Sequence, residues 1–204
     1  PSRCVTGTGE GRARNHSTGC STDHEEENLA LTPDALVATF SDLILAERPE
    51  GPVLDLASGD GHNGLFLAAK GLHVILADRS EEALRKAKET ADGMQRKVTI
   101  WKVDLERPDE NPLAEEEYSA ILVFRYLHRP LMPCIRKALR TGGFLVYHTY
   151  TLEQAQFGKP RNPDFLLKPG ELMDWFKDWN VLHHFEGLQE NPRRAVAEIA
   201  CRKP

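Results

Sequence analysis

"DLASGDGHNG", residues Asp55 to Gly64, sets glycines at 59, 61 and 64, the G-x-G-x-x-G spacing of a turn that opens a helix beneath a bound dinucleotide. An apolar run, Pro52-Val53-Leu54, leads into it, and Asp78 follows 19 residues after Gly59, where a dinucleotide's ribose would meet its carboxylate. A strand, a glycine turn and a helix are therefore expected. The acids argue against the usual ligand. Asp55 ends the strand beside a backbone turn, where a carboxylate is costly unless cations or several donors meet it. Asp60 stands between the first two glycines and would repel a pyrophosphate. The ligand of this turn is expected to be cationic or zwitterionic.

Outward from this stretch, short apolar segments alternate with helical ones. Residues 53–57, 73–77, 98–103, 120–124 and 144–149 read as strands, and 65–70, 80–91 and 131–139 as helices, the last of them ended by Gly142-Gly143. Before them, Thr32 is placed as an N-cap with Pro33 in the first helical position, and Leu36, Val37, Phe40, Leu43 and Ile44 follow the helical period. This alternation predicts an α/β fold, a parallel sheet with helices on both faces, whose ligands lie beyond the carboxyl ends of the strands. The tail departs from it: 179–186 and 195–201 read as two antiparallel strands joined at Asn191-Pro192.

The 204 residues suffice for one sizeable domain. Residues 1–29 are polar and glycine-containing, read as a flexible N-terminal arm, with 30–204 as the domain. Within the arm His16, Cys20 and His24 share a helical spacing, but the segment is a poor helix former and offers no fourth ligand, so no metal is expected. Apolar stretches fall far short of a membrane span. The net charge of −5 provides no general positive field for a polyanion, which disfavours nucleic acid as a partner. The four cysteines lack CxxC pairing and no secretory apolar region opens the chain, so a reducing cytoplasm is the expected compartment.

S-adenosylmethionine (SAM) suits an acidic glycine turn: the turn meets its ammonium, its sulfonium needs no phosphate pocket, and its ribose still requires an acid after the second strand. Asp78 is placed at the ribose hydroxyls, its other reading being a helix-first-turn acid or a partner of Arg79. Asp104, after the third strand, is placed at an adenine amine with Leu105 as an apolar contact, its other reading being a turn cap. The run "VLDLASGDGHNGLFLAAKGLHVILADRS", residues 53–80, resembles the first two motifs of the class I SAM-dependent methyltransferases. "FRYLHRPLMPCIRKALRTGGFLVYHTYT" (124–151) and "QFGKPRNPDFLLKPGEL" (156–172) resemble their tellurite-resistance-type branch. The resemblance, from about Leu31 to the C-terminus, implies a Rossmann-like seven-stranded, mostly parallel sheet with an antiparallel last strand. It implies SAM as cofactor, held by Asp55, Ala57, Ser58, Gly59, Gly61, Asn63, Asp78, Arg79, Asp104, Leu105 and Phe124. The branch's aromatic-rich N-terminal motif is replaced here by "RARNHSTGCSTDHEEENLALTP" (12–33), which holds no Trp or Tyr. The arm as a lid over SAM is implied by the resemblance alone.

After the fourth strand, Arg125, Tyr126, His128 and Arg129 offer guanidinium forks for an oxyanion, a phenol to orient it, and an imidazole as a base near neutral pH. Arg129 as a helix cap or surface ion pair and His128 as a packing residue are the alternatives. Tyr150, Lys159, Arg161, Asn162 and Phe165 follow the fifth strand, on a loop whose prolines at 160 and 163 forbid a regular element. Tyr150, Arg161, Asn162 and Phe165 are the expected acceptor residues, on a lid or a merely solvated connection. The expected function is methyl transfer from SAM to a small acceptor, an oxyanion such as tellurite or selenite or a soft thiolate. A non-catalytic SAM-binding module, an RNA methyltransferase and an NAD-dependent oxidoreductase are the rivals. Oligomeric state is left open.

Overall fold

The protein is described from a computed structural model, covering residues 31–47, 50–107 and 111–204. The proposed arm, with His16, Cys20 and His24, lies outside the described residues. The elements run α1 (Ala35–Glu47), β1 (Val53–Leu56), α2 (His62–Ala69), β2 (Val74–Asp78), α3 (Glu81–Gly93), β3 (Val98–Lys102), β4 (Tyr118–Phe124), α4 (Met132–Ala138), β5 (Leu139–Tyr150), α5 (Glu171–Phe176), β6 (Asn180–Gln189) and β7 (Arg194–Arg202). The strands form one seven-stranded sheet in the order β3-β2-β1-β4-β5-β7-β6. Pairings among β1 to β5 are parallel, and β7 runs antiparallel to both β5 and β6. The expected α/β class and the antiparallel tail are thus borne out. Among the described residues no helix is long and apolar enough to cross a membrane.

Both faces of the sheet are covered, which is why β1 and β4 are buried along their whole length instead of alternating with polar residues. Leu36, Val37 and Ile44 of α1, Leu65 and Leu67 of α2, and Leu84 and Ala87 of α3 pack on one face against Val53, Val74, Leu76, Ala120 and Leu122. Ile135 of α4 and Leu172 and Phe176 of α5 pack on the other against Leu54, Ile121, Leu145, Tyr147 and Ile199. The strand order reverses between β1 and β4, the place where such sheets open a crevice beyond their carboxyl ends.

Three local expectations are corrected. Helix α1 begins after Asp34, not at Thr32, because the Asp34 carboxylate accepts from Leu36 N at 3.1 Å and its carbonyl from Ala38 N at 3.1 Å. Helix α2 starts at His62, earlier than residue 65, since Gly61 at φ 77 supplies the left-handed turn and its carbonyl accepts from Leu65 N. Gly142-Gly143 do not end α4, which stops at Ala138 with Leu139 already extended. They lie in β5, where a Cβ on Gly143 would meet Ser119 O at 2.9 Å, so glycine is required there by the approach of two backbones.

Gly64 is likewise fixed by packing. A Cβ there would lie 2.5 Å from Leu76 Cδ2 and 2.9 Å from Asp55 Oδ2. Gly64→Ala is therefore expected to push α2 off β2 and lower stability by about 1–3 kcal/mol, measured by urea unfolding.

Candidate active site

Four strand ends build the groove. At the end of β1 the Asp55 side chain, 2% exposed, turns inward and accepts from Gly64 N at 2.8 Å, fastening the start of α2 to the strand. At the end of β2, Asp78 Oδ2 accepts from Gly59 N at 2.8 Å and Oδ1 from Ser80 N at 2.8 Å, so this carboxylate holds the glycine turn and the entry to α3 together. Ser80 then caps α3 by accepting from Ala83 N. Arg79 does not pair with Asp78; its guanidinium lies 3.9 Å from Glu106. After β3, Asp104 Oδ1 accepts from Glu106 N at 3.0 Å, the turn-capping role, while the residue remains in the groove wall. Ala57 and Arg125, at the adjacent ends of β1 and β4, both adopt left-handed backbone, with φ of 56° and 55°.

Burial and the neighbouring carboxylates of Asp60 and Asp78 push the Asp55 carboxyl up to about 7, against the single amide donor Gly64 N. Asp60, at the open side of the turn, is held below its usual value: burial opposes this, but the 3.1 Å contact with His62 and the charge of Arg125 outweigh it. Burial pushes the Tyr126 phenol well above the ordinary tyrosine range, reinforced by Glu106 and Asp104, so it keeps its proton.

Three cavities adjoin along these ends; one, of about 380 Å³, is walled by Arg79, Lys102, Val103, Asp104, Arg107 and Pro112, and the other two bear on the site. The narrower, of about 150 Å³, is walled by Ala57, Asp78, Val103, Asp104, Leu105 and Glu106, with Arg79 and Tyr126 at its edge. The larger, of about 700 Å³, shares Arg79, Glu106 and Tyr126 with it and continues to Arg125, Tyr150, Lys159, Arg161, Asn162 and Phe165. The four expected acceptor residues Tyr150, Arg161, Asn162 and Phe165 therefore come together, although they stand on different turns of the chain. Of the expected cofactor residues, Ala57, Asp78, Arg79, Asp104 and Leu105 converge on the narrower cavity, and Ser58, Gly59 and Gly61 form the turn beside it. Ser58 Oγ and Tyr126 OH are buried without hydrogen-bond partners.

Four placements differ from expectation. Arg129 points away from the acceptor cavity: Nε and one terminal nitrogen grip the Glu171 carboxylate at 2.7 and 2.8 Å, and the terminal nitrogens donate to Asp164 O and Leu166 O at 2.8 Å. It is a clamp between the β4 loop and the segment that carries Phe165. His128, the expected base, is absent from the described walls of both cavities and begins a single 3₁₀ turn instead. Asn63 is buried and its Oδ1 accepts from Asp34 N at 2.8 Å, so it ties α1 to α2 and does not face the groove. Phe124 packs edge-on against His148 at 5.8 Å, supporting the groove from beneath.

That histidine belongs to a cluster sequence reasoning missed. His148 is buried, its Nδ1 lies 3.3 Å from Asp34 Oδ2 and 3.8 Å from Glu198 Oε1, and Glu198 also meets His183 and Gln189. The His148 carbonyl accepts from Arg125 N, so the cluster underlies the left-handed residue at the end of β4. No local motif announces it, because its members stand on α1, β5, β6 and β7. Among the described residues, no group of three or more metal-ligating side chains could hold a metal ion.

With this geometry established, the similarities to known proteins follow. A family model described as a methyltransferase domain matches residues 53–143, which span β1 to the glycines of β5. The chain is 26% identical over 165 residues to the "Probable S-adenosyl-L-methionine-dependent methyltransferase TehB" of Haemophilus influenzae, covering 76% of this chain and 56% of that one. The chain is similar to S-adenosyl-L-methionine-dependent methyltransferases, and the methyltransferase-domain match lies between β1 and β5. The chain superposes on the crystal structure of TehB from Haemophilus influenzae with a TM-score of 0.63 at 22% identity, covering 80% of this chain and 62% of that one. It is also 26% identical over 172 residues to the tRNA 5-carboxymethoxyuridine methyltransferase of Escherichia coli, covering 69% of this chain and 65% of that protein. The chain thus spans little more than half the length of the TehB relative it matches.

Two outcomes are expected. Between the ordinary carboxylate value near 3.8 and about 7, folded Asp55 holds a proton that the unfolded chain has released, so its contribution weakens stability as pH rises through that window and levels off above it. Thermal unfolding of the parent and of Asp55→Asn should show their stability difference moving in the variant's favour from pH 4 to 7; a constant difference would refute the shifted carboxyl. Arg129→Ala removes the guanidinium donors to Glu171 and to two carbonyls and should cost about 1–3 kcal/mol in urea unfolding, with Arg129→Lys only partly restoring it because the fork is lost.

Proposed function

We propose that this methyltransferase binds SAM along the strand ends of β1 to β4 and transfers its methyl group to an anionic acceptor held in the 700 Å³ cavity. One observation carries the reading: Arg79, Glu106 and Tyr126 wall both cavities, so whatever occupies the narrower side, with Asp78 and Asp104, abuts whatever occupies the side with Arg125, Lys159 and Arg161.

The residues present fit SAM by their chemistry. Asp78 ends β2 with acceptor oxygens at the narrow cavity, Leu105 and Val103 supply apolar contacts, and Asp104 supplies a carboxylate for an exocyclic amine. The buried, unpartnered hydroxyls of Ser58 and Tyr126 are donors in search of an acceptor, the kind of orphan that a ligand satisfies. Asp55 and Asp60 disfavour a pyrophosphate, which separates this turn from that of a dinucleotide enzyme. Bound SAM supplies a methyl group made electrophilic by a sulfonium.

What the chain must then do is align and exclude water. The Arg129–Glu171 pair fixes the segment from Asp164 to Glu171 against the β4 loop, which holds the far wall of the acceptor cavity in place. Arg125, Lys159 and Arg161 carry no ion pair among the described residues and converge on that cavity, so an anion there meets unspent positive charge. Neutral amines gain nothing from it.

In calorimetry, SAM and S-adenosylhomocysteine should bind and NADH should give no heat. Asp78→Ala should weaken SAM by about 1–3 kcal/mol, the cost of losing a charged hydrogen-bonding group. Heat with NADH and none with SAM would overturn the proposal.

A further inference from the structure

We infer that the acceptor is a carboxylic acid with a flat apolar body, methylated on its carboxylate oxygen to give an ester. The inference rests on the donor and acceptor sides assigned above and deepens them.

Size is the first argument. A cavity of about 700 Å³ lies within the range of sites for organic ligands, and a bare oxyanion would leave most of it to water next to a reactive sulfonium. Phe165 is the second. It is 46% exposed, yet the residues on either side of it are pinned, Asp164 O and Leu166 O each accepting from Arg129 at 2.8 Å, while its own amide donates to Asn162 O. An exposed aromatic ring on so firmly tied a backbone is a preorganised apolar face, and Leu127 and Tyr150 stand in the same cavity.

The third argument concerns the proton. Among the described residues the cavity wall includes no histidine and no cysteine, its carboxylate Glu106 lies against Arg79, and the Tyr126 phenol is pushed away from ionising. A nucleophile that arrives with a proton meets, among the described walls, no histidine or cysteine to take it and a carboxylate already facing Arg79, so one that arrives ionised is favoured. Thiols, phenols and amines carry that proton at neutral pH, whereas a carboxylic acid has already lost it. The guanidinium forks of Arg125 and Arg161 match a planar carboxylate. The step balances without a base: a carboxylate lone pair forms the O–CH₃ bond, the CH₃–S bond breaks with its electrons remaining on sulfur, and the negative acceptor and positive sulfonium become a neutral ester and a thioether.

The test uses the full chain with SAM labelled in its methyl group, against cinnamate, benzoate, their primary amides, acetate, the alkyl thiol 2-phenylethanethiol, selenite and tellurite. Mild alkali releases an ester's methyl as methanol and leaves thioether and methyl–tellurium bonds intact. The expected result is alkali-labile label from the aryl carboxylates, about tenfold or more above acetate and absent from the amides. Phe165→Ala should raise KM for the aryl acid and leave SAM affinity in calorimetry unchanged, and Arg161→Gln should lower kcat/KM for the acid by about tenfold or more. SAM binding with label only in alkali-stable products, or with no carboxylate in the panel methylated, overturns this inference while leaving the SAM site standing. Absence of SAM binding brings down the broader reading as well.

Discussion

Two carboxylates fasten the glycine turn to the sheet, and the groove depends on them. Asp55 accepts from Gly64 N and Asp78 from Gly59 N, both at 2.8 Å, so each end of the turn is hydrogen-bonded to a different strand. The turn can lie this close only because Gly64 has no side chain to meet Leu76. An acid in so enclosed a place is expensive, and Asp55 shows it: its carboxyl is pushed up to about 7 although an amide donates to it. The turn is thus held by hydrogen bonds to two acids, and the Asp60 carboxylate at its open side sets negative charge where a phosphate ligand would need the opposite.

Such placement of acids divides the groove electrically. Asp55, Asp60, Asp78 and Asp104 stand around the turn and the narrow cavity, whereas Arg125, Lys159 and Arg161 gather in the wide one. A ligand with cationic groups on one side and a partner with negative charge on the other is complementary to this layout. The same division explains a chain whose net charge is −5 and whose acceptor cavity is nevertheless basic. Overall charge bears on long polyanions, and a local cluster of three cations on a small acid.

How much of this was legible in sequence follows the range of the interactions. The first four strand assignments and the helix over 81–93 were read nearly to the residue, because burial on both faces writes apolar runs and Ser80 writes a cap. The glycine turn and the acids at 78 and 104 were legible for the same local reason. Arg129 was misplaced because its partner Glu171 lies 42 residues away, and an arginine beside an active-site loop looks alike whether it faces a ligand or a carboxylate. Asn63 was misplaced through its bond to Asp34, 29 residues distant, and the glycines at 142 and 143 through a backbone contact with Ser119. The Asp34–His148–Glu198 cluster had no sequence signal, since the sheet alone brings β5 and β7 side by side.

The displacement of Arg129 from chemistry to support alters the logic of the acceptor side. An arginine that donates to a carboxylate and to two carbonyls has little left for a substrate, but it makes the 164–171 segment a fixed wall instead of a loose flap. Glu171 reinforces this by also accepting from Lys168 N at 2.8 Å. Since methyl transfer requires little beyond alignment and dryness, the proposed activity would draw on rigidity in that wall. Positive charge spent on the wall is replaced by Arg125, Lys159 and Arg161, which remain free of ion pairs among the described residues. In the proposed reading the cavity separates two duties that the sequence had placed on one arginine: Arg129 holds the wall, and Arg125, Lys159 and Arg161 meet the acceptor.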